Sequence, residues 1–389
     1  IYTGEDTLSL HDALPISTFG AGEITSPATP LEMTLATVFA EVLGRGTVSV
    51  TDSFFDLGGN SLSATRLASR VGEVLNQDVA VSDVFAAPSV TALAQRLSGE
   101  STVDPFGRLL TLRPAGSGDP VFCVHPAGGL GWCYSGLLSM LDRDAGVYAL
   151  QADGLDGSPL PSSLTDVARD YLDTIEEISP TGPLRLVGWS VGGGVAMQFA
   201  YQYPERCERL VLVGTGGVSH EVNPVLRFVA APNADLVLPL LGAPGARLLG
   251  KAVFTALRVL DTDIGHDAPQ LMRIFDALPN AASRRAFVRT LRGAVDWRGQ
   301  AITMLDRCYL AKDMPTLVVW GERDGVIPVA HAHRIHEAMP SSRLEVFANA
   351  GHFPHQDDPA RFLRVFRDFY ASTSPCTHSA DEWRALLRQ

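Results

Sequence analysis

Hydrophobic positions along the chain follow two different periodicities. Between residues 30 and 97, apolar side chains recur three and four positions apart, as they do on one face of an amphipathic helix. Beyond residue 119, short apolar runs bounded by Gly, Pro or Asp alternate with helical stretches. That alternation is typical of a parallel sheet covered by helices on both faces. The pattern therefore predicts a small four-helix domain followed by a larger α/β domain.

The first domain is predicted to span residues 29–98. Thr29 and Glu32 have the spacing of a capping box, which predicts the start of a helix. The elements expected after that cap are helices over Pro30–Leu43, from near Ser61 and over Ser89–Leu97, with a short turn at Val81–Phe85. Polar segments containing Gly, Ser, Thr and Pro flank the domain, so we expect linkers at 18–28 and 99–118.

The second domain is predicted to cover residues 119–373, with a C-terminal tail at 374–389. Its expected strands are the short apolar runs Val121–Val124, Val147–Leu150, Leu184–Val187, Leu210–Val213, Thr316–Trp320 and Leu344–Phe347. About a hundred mostly helical, apolar residues separate the fourth of these runs from the fifth, far more than ordinary connections contain. We expect this insertion, at about 218–312, to form a helical lid over the site.

Charge and cysteine content argue against several classes of function. The net charge is −12, which disfavours a nucleic-acid surface. The five cysteines are odd in number, widely spaced and without a Cys-x-x-Cys pair. We therefore expect neither a disulfide framework nor a zinc site, and a reducing, cytoplasmic compartment. No apolar run reaches the length of a membrane span, because prolines and basic residues interrupt the longest, Val225–Leu260.

The densest local motif runs from Phe54 to Leu62, with the sequence FFDLGGNSL. Its paired glycines permit a turn that side chains would forbid, and Ser61 then opens a helix, where free N–H groups favour a phosphate. On these grounds alone, an ordinary helix cap at Ser61 explains the motif equally well.

Residues Pro27 to Leu97 resemble the thiolation, or peptidyl carrier, domains of nonribosomal peptide synthetases. The resemblance is carried by FFDLGGNSLSATRL and by the later VFAAPSVTALA. It implies that Ser61 holds covalent 4′-phosphopantetheine, added by a phosphopantetheinyl transferase. It also implies that acyl or peptidyl intermediates from upstream synthetase domains ride on the thiol of that arm.

A second serine lies in Gly188-Trp189-Ser190-Val191-Gly192, a Gly-x-Ser-x-Gly motif between an apolar strand and a small-residue helix. That context predicts the nucleophile elbow of an α/β hydrolase, with an acid and then a histidine following along the chain. Asp324 and His352 each follow a predicted strand. We therefore expect Ser190 as nucleophile, His352 as its base and Asp324 as the acid that orients the base. The alternatives are a turn-forming role for Asp324, and His355 as the base.

The oxyanion of such a reaction needs backbone donors. We expect them to be the N–H groups of Val191 and of Ala127, the latter in the loop after the first predicted strand. His125 in the same loop is expected to be a structural turn residue. Three further histidines are predicted to occupy a solvated helix face and to bind no metal: His331, His333 and His336.

Residues 119–190 resemble the terminal thioesterases of nonribosomal peptide synthetases, through VFCVHPAGGLGWCYSGL, VYALQADGLDG and LVGWSVGGGVA. In those thioesterases an Asp usually ends the strand after the nucleophile helix, whereas here residues 210–215 (LVLVGT) contain no acid. From about Gly193 onward the chain is instead similar to a free-standing actinobacterial-type α/β hydrolase. The join near 186–200 is therefore either natural or an assembly error.

Three functions follow from these resemblances. The leading hypothesis is a carrier–thioesterase module that hydrolyses or cyclises a tethered acyl or peptidyl thioester. The second is a general carboxylester hydrolase joined to a carrier domain. The third is a carrier and docking module whose hydrolase half is an inactive, misjoined body.

Residues 1–17 match no element. They resemble translated sequencing-adapter text, although Ala13-Leu14-Pro15 would also suit the tail of an upstream adenylation domain. We exclude this segment from the fold and expect the chain to be a fragment of a longer protein.

Overall fold

A computed structural model describes residues 24–114, 116–138, 141–155, 159, 161, 163–231, 255–268, 271, 281–301, 303–311, 313–376 and 382. The segment 1–17 lies outside the described residues, as do positions 18–23 of the first expected linker and most of the tail at 374–389. Within the described ranges, no helix is long and apolar enough to cross a membrane.

The first domain consists of four helices: α1 Pro30–Leu43, α2 Ser61–Leu75, α3 Val81–Ala86 and α4 Val90–Leu97. The Thr29 hydroxyl accepts the Glu32 N–H at 3.1 Å, and the Glu32 carboxylate accepts the Thr29 N–H at 3.1 Å. The predicted capping box is therefore present. The other oxygen of Glu32 accepts the Thr91 hydroxyl at 2.8 Å, so the cap of α1 also ties α1 to α4.

The segment Val81–Phe85, expected to be a short turn, is instead part of α3. Asp83 caps this helix by accepting the Ala80 N–H at 2.9 Å, and the same carboxylate pairs with Arg96 of α4 at 2.7 Å. Phe85 is fully buried. Six residues are too few to show a full hydrophobic period, so tertiary contacts stabilise a helix that its sequence pattern does not reveal.

The second domain is built on one sheet of β1 Leu109–Arg113, β2 Gly118–Val124, β3 Ala145–Leu150, β4 Leu184–Trp189, β5 Cys207–Val213, β8 Thr316–Gly321 and β9 Arg343–Phe347. The strand order is β1-β3-β2-β4-β5-β8-β9. Neighbouring strands are parallel except for β1, which pairs antiparallel with β3. All six predicted strands are present, and the predicted parallel α/β sheet is confirmed.

The seventh strand, β1, lies inside the expected linker 99–118, so that prediction is wrong in its second half. Leu110 and Leu112 are buried while Thr111 is exposed, which is the alternation of an edge strand. The alternation extends over only five residues beside polar, Gly- and Pro-containing sequence. A strand this short gives too weak a pattern to be separated from a linker.

The helices of this domain are α5 Leu164–Glu176, α6 Val191–Gln202, α7 Pro224–Ala230, α8 Ala281–Ala294, α9 Ala330–Ala338, α10 Pro354–Asp357 and α11 Pro359–Ser372. Alternate side chains of the strands enter two cores. Val187, Val211 and Val319 face the core that contains the aromatic residues of α11. Leu186 and Leu212 face the other core, with α5, α6 and α9. The sheet is therefore covered on both faces, as parallel sheets require.

The long insertion between β5 and β8 is partly described. Within the predicted lid region, about 218–312, the described parts comprise α7, the largely helical segment 255–268, α8, a hairpin of β6 Val295–Asp296 with β7 Gly299–Gln300, and a 3-10 segment at Leu305–Ala311. These pieces follow the carboxyl end of β5, where α/β active sites form. Their role as a lid stays a prediction.

Candidate active site

Ser190 occupies a sharp turn between β4 and α6. Its backbone has φ 56° and ψ −127°, a strained conformation for a residue with a side chain. The turn needs glycine on both sides: a Cβ at Gly188 would lie 2.5 Å from the Gly192 oxygen, and a Cβ at Gly192 would collide with the Val124 oxygen. The Ser190 N–H donates to Val213 at 3.0 Å, and its carbonyl accepts the Gly216 N–H at 2.8 Å. The motif therefore folds as the predicted elbow.

His352 and Asp324 meet beside the carboxyl ends of the strands. His352 Nδ1 lies 2.8 Å from Asp324 Oδ2, and both side chains are almost completely buried. The other oxygen of Asp324 accepts the N–H groups of Val326 and Ile327 at 2.9 and 2.8 Å, which fixes the plane of the carboxylate. Burial by itself would lower the pKa of His352, but the adjoining Asp324 carboxylate outweighs it and the pKa is raised.

The loop that follows β9 and carries His352 is also hydrogen-bonded to the elbow. The indole N–H of Trp189, the residue before Ser190, donates to the His352 carbonyl at 2.9 Å. The alternative base, His355, packs edge-on against Trp189 with ring centroids 5.1 Å apart, and burial lowers its pKa to about 3. Among the described hydrogen bonds, it is His352 and not His355 that binds Asp324.

Two further acidic residues, Glu221 and Glu322, follow β5 and β8 but have different surroundings. Glu322 is exposed. Glu221 is bound by Arg334 at 2.9 Å and 3.2 Å, beyond the end of β5. In the terminal thioesterases that residues 119–190 resemble, an acid usually ends the strand after the nucleophile helix. Here that strand, β5, is followed by Gly214, and a Cβ there would lie 3.2 Å from His352 Nδ1 and 3.4 Å from Asp324 Oδ2. The absence of a side chain at Gly214 therefore leaves room for the pair formed by His352 and Asp324.

The two expected oxyanion donors border the same cavity as Ser190. Val191 is the first residue of α6, so its N–H has no acceptor within the helix. Ala127 lies in the loop after β2, and no described backbone hydrogen bond uses its N–H. His125 is turned away into a structural contact: its Nδ1 lies 2.7 Å from the Pro126 carbonyl, and burial lowers its pKa to about 4.

The cavity beside Ser190 is apolar. Its aliphatic lining, among the described residues, comes from the loop after β2, the first residues of α5 and α6, the lid region and the loop after β8: Ala127, Leu164, Val191, Val222, Leu226, Leu291, Ala294, Val295, Val326 and Ile327. The polar side chains that border it are Ser190 and Gln300. Gln300 is already engaged, because it accepts the Gly217 N–H at 2.6 Å and donates to the Glu221 carbonyl at 3.2 Å.

The three-histidine helix is not the solvated face that its spacing suggests. His331 is fully buried, 3.3 Å from Glu221 and beside Trp320, whereas His333 is exposed. Periodicity places these residues on different sides of α9 but does not say which side is covered. In the described part of the chain, no group of three His, Cys, Asp or Glu side chains is arranged to hold a metal.

Ser61 is exposed and is the first residue of α2, so its predicted position at a helix start is confirmed. The cap is Asn60, whose side chain already accepts the Leu62 and Ser63 N–H groups at 3.0 and 3.1 Å. Those amides are therefore not free to bind a phosphate, contrary to the argument from helix ends. An exposed hydroxyl still fits a covalent phosphoester, which needs only that oxygen and open space around it.

The first domain packs against the second beside this serine. Ser61 Oγ lies 3.5 Å from the Trp132 carbonyl, and the Trp132 indole stacks on Phe85 with ring centroids 4.8 Å apart and planes 4° apart. An ion pair of 3.0 Å joins Asp56 to Arg113 of β1. Trp132 belongs to a 3-10 turn, Gly131–Leu137, that directly follows the loop containing Ala127.

The same turn contacts the elbow. The Tyr134 hydroxyl donates to the Val124 carbonyl at 2.5 Å and accepts the Trp189 N–H at 2.9 Å. One short turn therefore contacts Ser61 through Trp132 and the residue before Ser190 through Tyr134.

Comparison with known protein families supports both domains. Residues 119–359 match the family described as the alpha/beta hydrolase fold, and residues 34–97 match the family described as the phosphopantetheine attachment site. That second match indicates a domain that holds covalently attached 4′-phosphopantetheine.

Similar proteins include an uncharacterized protein of Mycobacterium tuberculosis, 42% identical over 291 residues that cover 71% of this chain and 82% of that protein. A dimodular nonribosomal peptide synthase of Bacillus subtilis is 43% identical over 203 residues, which cover 52% of this chain but only 8% of the synthase. The fold is similar to that of a meta-cleavage product hydrolase of Pseudomonas fluorescens, with a TM-score of 0.51 at 20% identity over 68% of this chain and 94% of that one.

Proposed function

Because the chain belongs to the α/β-hydrolase family and carries a phosphopantetheine carrier domain in front of its hydrolase domain, we propose that it releases an acyl or peptidyl chain from its own carrier by serine catalysis. Release occurs by hydrolysis or by cyclisation. The observation that carries the proposal is that the Trp189 indole, next to Ser190, donates to the His352 carbonyl and so holds the elbow beside the buried pair of His352 and Asp324.

The reaction begins with attack of Ser190 Oγ on the carbonyl carbon of a thioester. His352 Nε2 takes the hydroxyl proton, and Asp324 stabilises the imidazolium that results. The N–H groups of Val191 and Ala127 bind the oxyanion. The C–S bond then breaks, and His352 gives its proton to the leaving sulfur. Water, or a nucleophile within the acyl chain, next attacks the Ser190 ester and gives a proton to His352. The C–O bond to Ser190 Oγ then breaks, and His352 returns that proton to Oγ.

Ser61 is the residue that would hold the arm. When bound, 4′-phosphopantetheine supplies a thiol that carries the acyl chain. Delivery within one chain is supported by the contact of Ser61 with the Trp132 turn, next to the loop of Ala127. The proposed partners are a phosphopantetheinyl transferase, which modifies Ser61, and upstream synthetase domains, which load the arm.

The cavity narrows the class of substrate. Its described lining offers aliphatic carbon and no charged side chain, and its one amide side chain, Gln300, is already hydrogen-bonded. Burying an unpaired charge there would be strongly unfavourable. The part of the acyl chain nearest the scissile carbonyl is therefore proposed to be neutral and apolar.

One observation favours a second candidate, a general ester hydrolase attached to a carrier. The match to this chain covers 82% of the mycobacterial relative, so little of that relative remains for synthetase domains. The third candidate, an inactive body, is opposed by the sheet, since β4 pairs with β2 before the suspected join and with β5 after it.

The test loads an acyl-pantetheine arm onto the full chain with acyl-coenzyme A and a broad-specificity transferase, and follows intact mass over time. We expect the acyl mass to leave the wild-type arm and to persist in Ser190→Ala, whose catalytic loss is on the order of 10⁶. A free p-nitrophenyl ester is assayed in parallel. Hydrolysis of the free ester with a stable acyl arm would establish the esterase instead, and failure of Ser190 to react with a fluorophosphonate would establish the inactive body.

A further inference from the structure

Besides Asp324, a second carboxylate lies against the loops that carry His352 and Asp324. Asp267, in the helical part of segment 255–268, is completely buried. Its Oδ1 accepts the backbone N–H of His352 at 2.7 Å, and its Oδ2 accepts the backbone N–H of Gly325 at 2.9 Å. Asp267, in the predicted lid region, therefore binds the backbone of Gly325, which follows Asp324, and the backbone of His352.

The two loops are shaped to admit this segment. A Cβ at Gly325 would lie 2.5 Å from the Ile264 nitrogen, and a Cβ at Gly351 would collide with the Asp267 carboxylate. Arg323, just before the acid, binds Asp261 at 2.7 Å and Asp263 at 3.4 Å. The contacts of Asp261 and Ile264, both before Asp267 in the chain, thus hold the segment against the loop that carries Asp324.

No Arg or Lys side chain contacts Asp267 among the described contacts. The groups that face it are His352 and Asp324 on the two loops, and His266 on its own segment, which pairs with Asp357 of α10 at 3.4 Å. The pKa of Asp267 is raised to about 6: burial is the main cause, the positive charge of His352 opposes it, and the Asp324 carboxylate adds to it. Above that pH, Asp267 is ionised and adds to the rise in the His352 pKa.

We propose that Asp267 is a positioning residue for the catalytic base: it fixes the histidine loop against the acid loop and adds a second negative charge that stabilises the His352 imidazolium. Only an ionised carboxylate offers acceptors to both N–H groups without presenting a proton to one of them. Because Asp267 belongs to segment 255–268, the competence of His352 depends on that segment lying against the loops of Asp324 and His352. This inference rests on the proposed serine mechanism but not on the identity of the substrate.

The test is the rate of Ser190 labelling by a fluorophosphonate, measured in the full chain as a function of pH. Labelling needs neutral His352, so its rate rises with pH through the His352 pKa. Asp267→Asn removes a charge and one acceptor. We expect labelling at the plateau to slow about ten- to hundredfold. The acid limb is the part of the profile in which the labelling rate rises with pH. Because the imidazolium loses a stabilising charge, we expect the acid limb to move to lower pH by about one unit.

The matched control is Asp263→Asn on the same segment, whose side chain is mostly exposed and pairs only with Arg323 among the described contacts. This control should change neither the plateau rate of labelling nor the pH of the acid limb. If Asp267→Asn does not fold, Gly351→Ala displaces the same carboxylate from the opposite side and should shift the limb in the same direction. A folded variant with a wild-type limb overturns the role of Asp267 and leaves the proposed function intact. Unreactive wild-type Ser190 overturns the proposed function itself.

Discussion

The two serines of this chain are held in opposite ways. Ser61 lies exposed at the start of a regularly capped helix, where Asn60 rather than the serine satisfies the helix end. Ser190 is buried, has a positive φ and is enclosed by glycines that no larger residue could replace. A serine that another enzyme modifies needs only access. A serine that does chemistry itself needs a strained turn, a base and donors, and the surrounding fold must maintain all three.

The largest expected effect separates the two serines completely. Ser61→Ala should abolish addition of the phosphopantetheine arm, because the only reacting oxygen is removed, while hydrolysis of a free ester stays at the wild-type rate. Intact-mass spectra after incubation with coenzyme A and a transferase measure the first, and ester kinetics the second. Ser69→Ala, another exposed serine of α2, is the matched control and should load fully. An arm on the Ser61 variant would show that the attachment residue is misassigned.

The next largest effect concerns Asp324, the acid that orients His352 beside Ser190. Asp324→Asn keeps the shape of the side chain but leaves His352 in the wrong tautomer, so kcat should fall by as much as about 10⁴. Glu322→Gln, two positions away and exposed, should cost little. Steady-state kinetics of the pair, with circular dichroism to confirm folding, make the comparison. Full activity in Asp324→Asn would mean that another acid serves the base.

The smallest effect addresses the contact between the two regions. Trp132→Ala removes the ring that stacks on Phe85, a pair worth about 1 kcal/mol, so acyl transfer from the arm should slow about fivefold to tenfold. Hydrolysis of a free ester should change much less. Trp297→Ala, at an indole that is mostly exposed, is the control. Equal losses with both substrates would show that Trp132 supports the hydrolase core rather than docking of the carrier.

Local sequence signals predicted the frame of the molecule. Ser61, the elbow of Ser190 and the strand ends that carry Asp324 and His352 all lie in motifs of a few residues, so their positions follow from the sequence. β1 was missed because a five-residue strand beside polar, Gly- and Pro-containing sequence resembles a linker, and His331 was misjudged because helical spacing does not show which face is covered. Asp267 has no motif at all: its contact with His352 joins positions 85 residues apart, and only the fold brings them together.

Gly214 limits where the acid of this site can lie. A side chain there would press on both His352 and Asp324, since its Cβ would lie within 3.4 Å of each. One imidazole is thus within reach of two neighbouring strand ends, and only one of them can carry the acid comfortably. An acid at position 214 and the acid at position 324 are therefore alternatives, because the two carboxylates would contend for one ring nitrogen of His352.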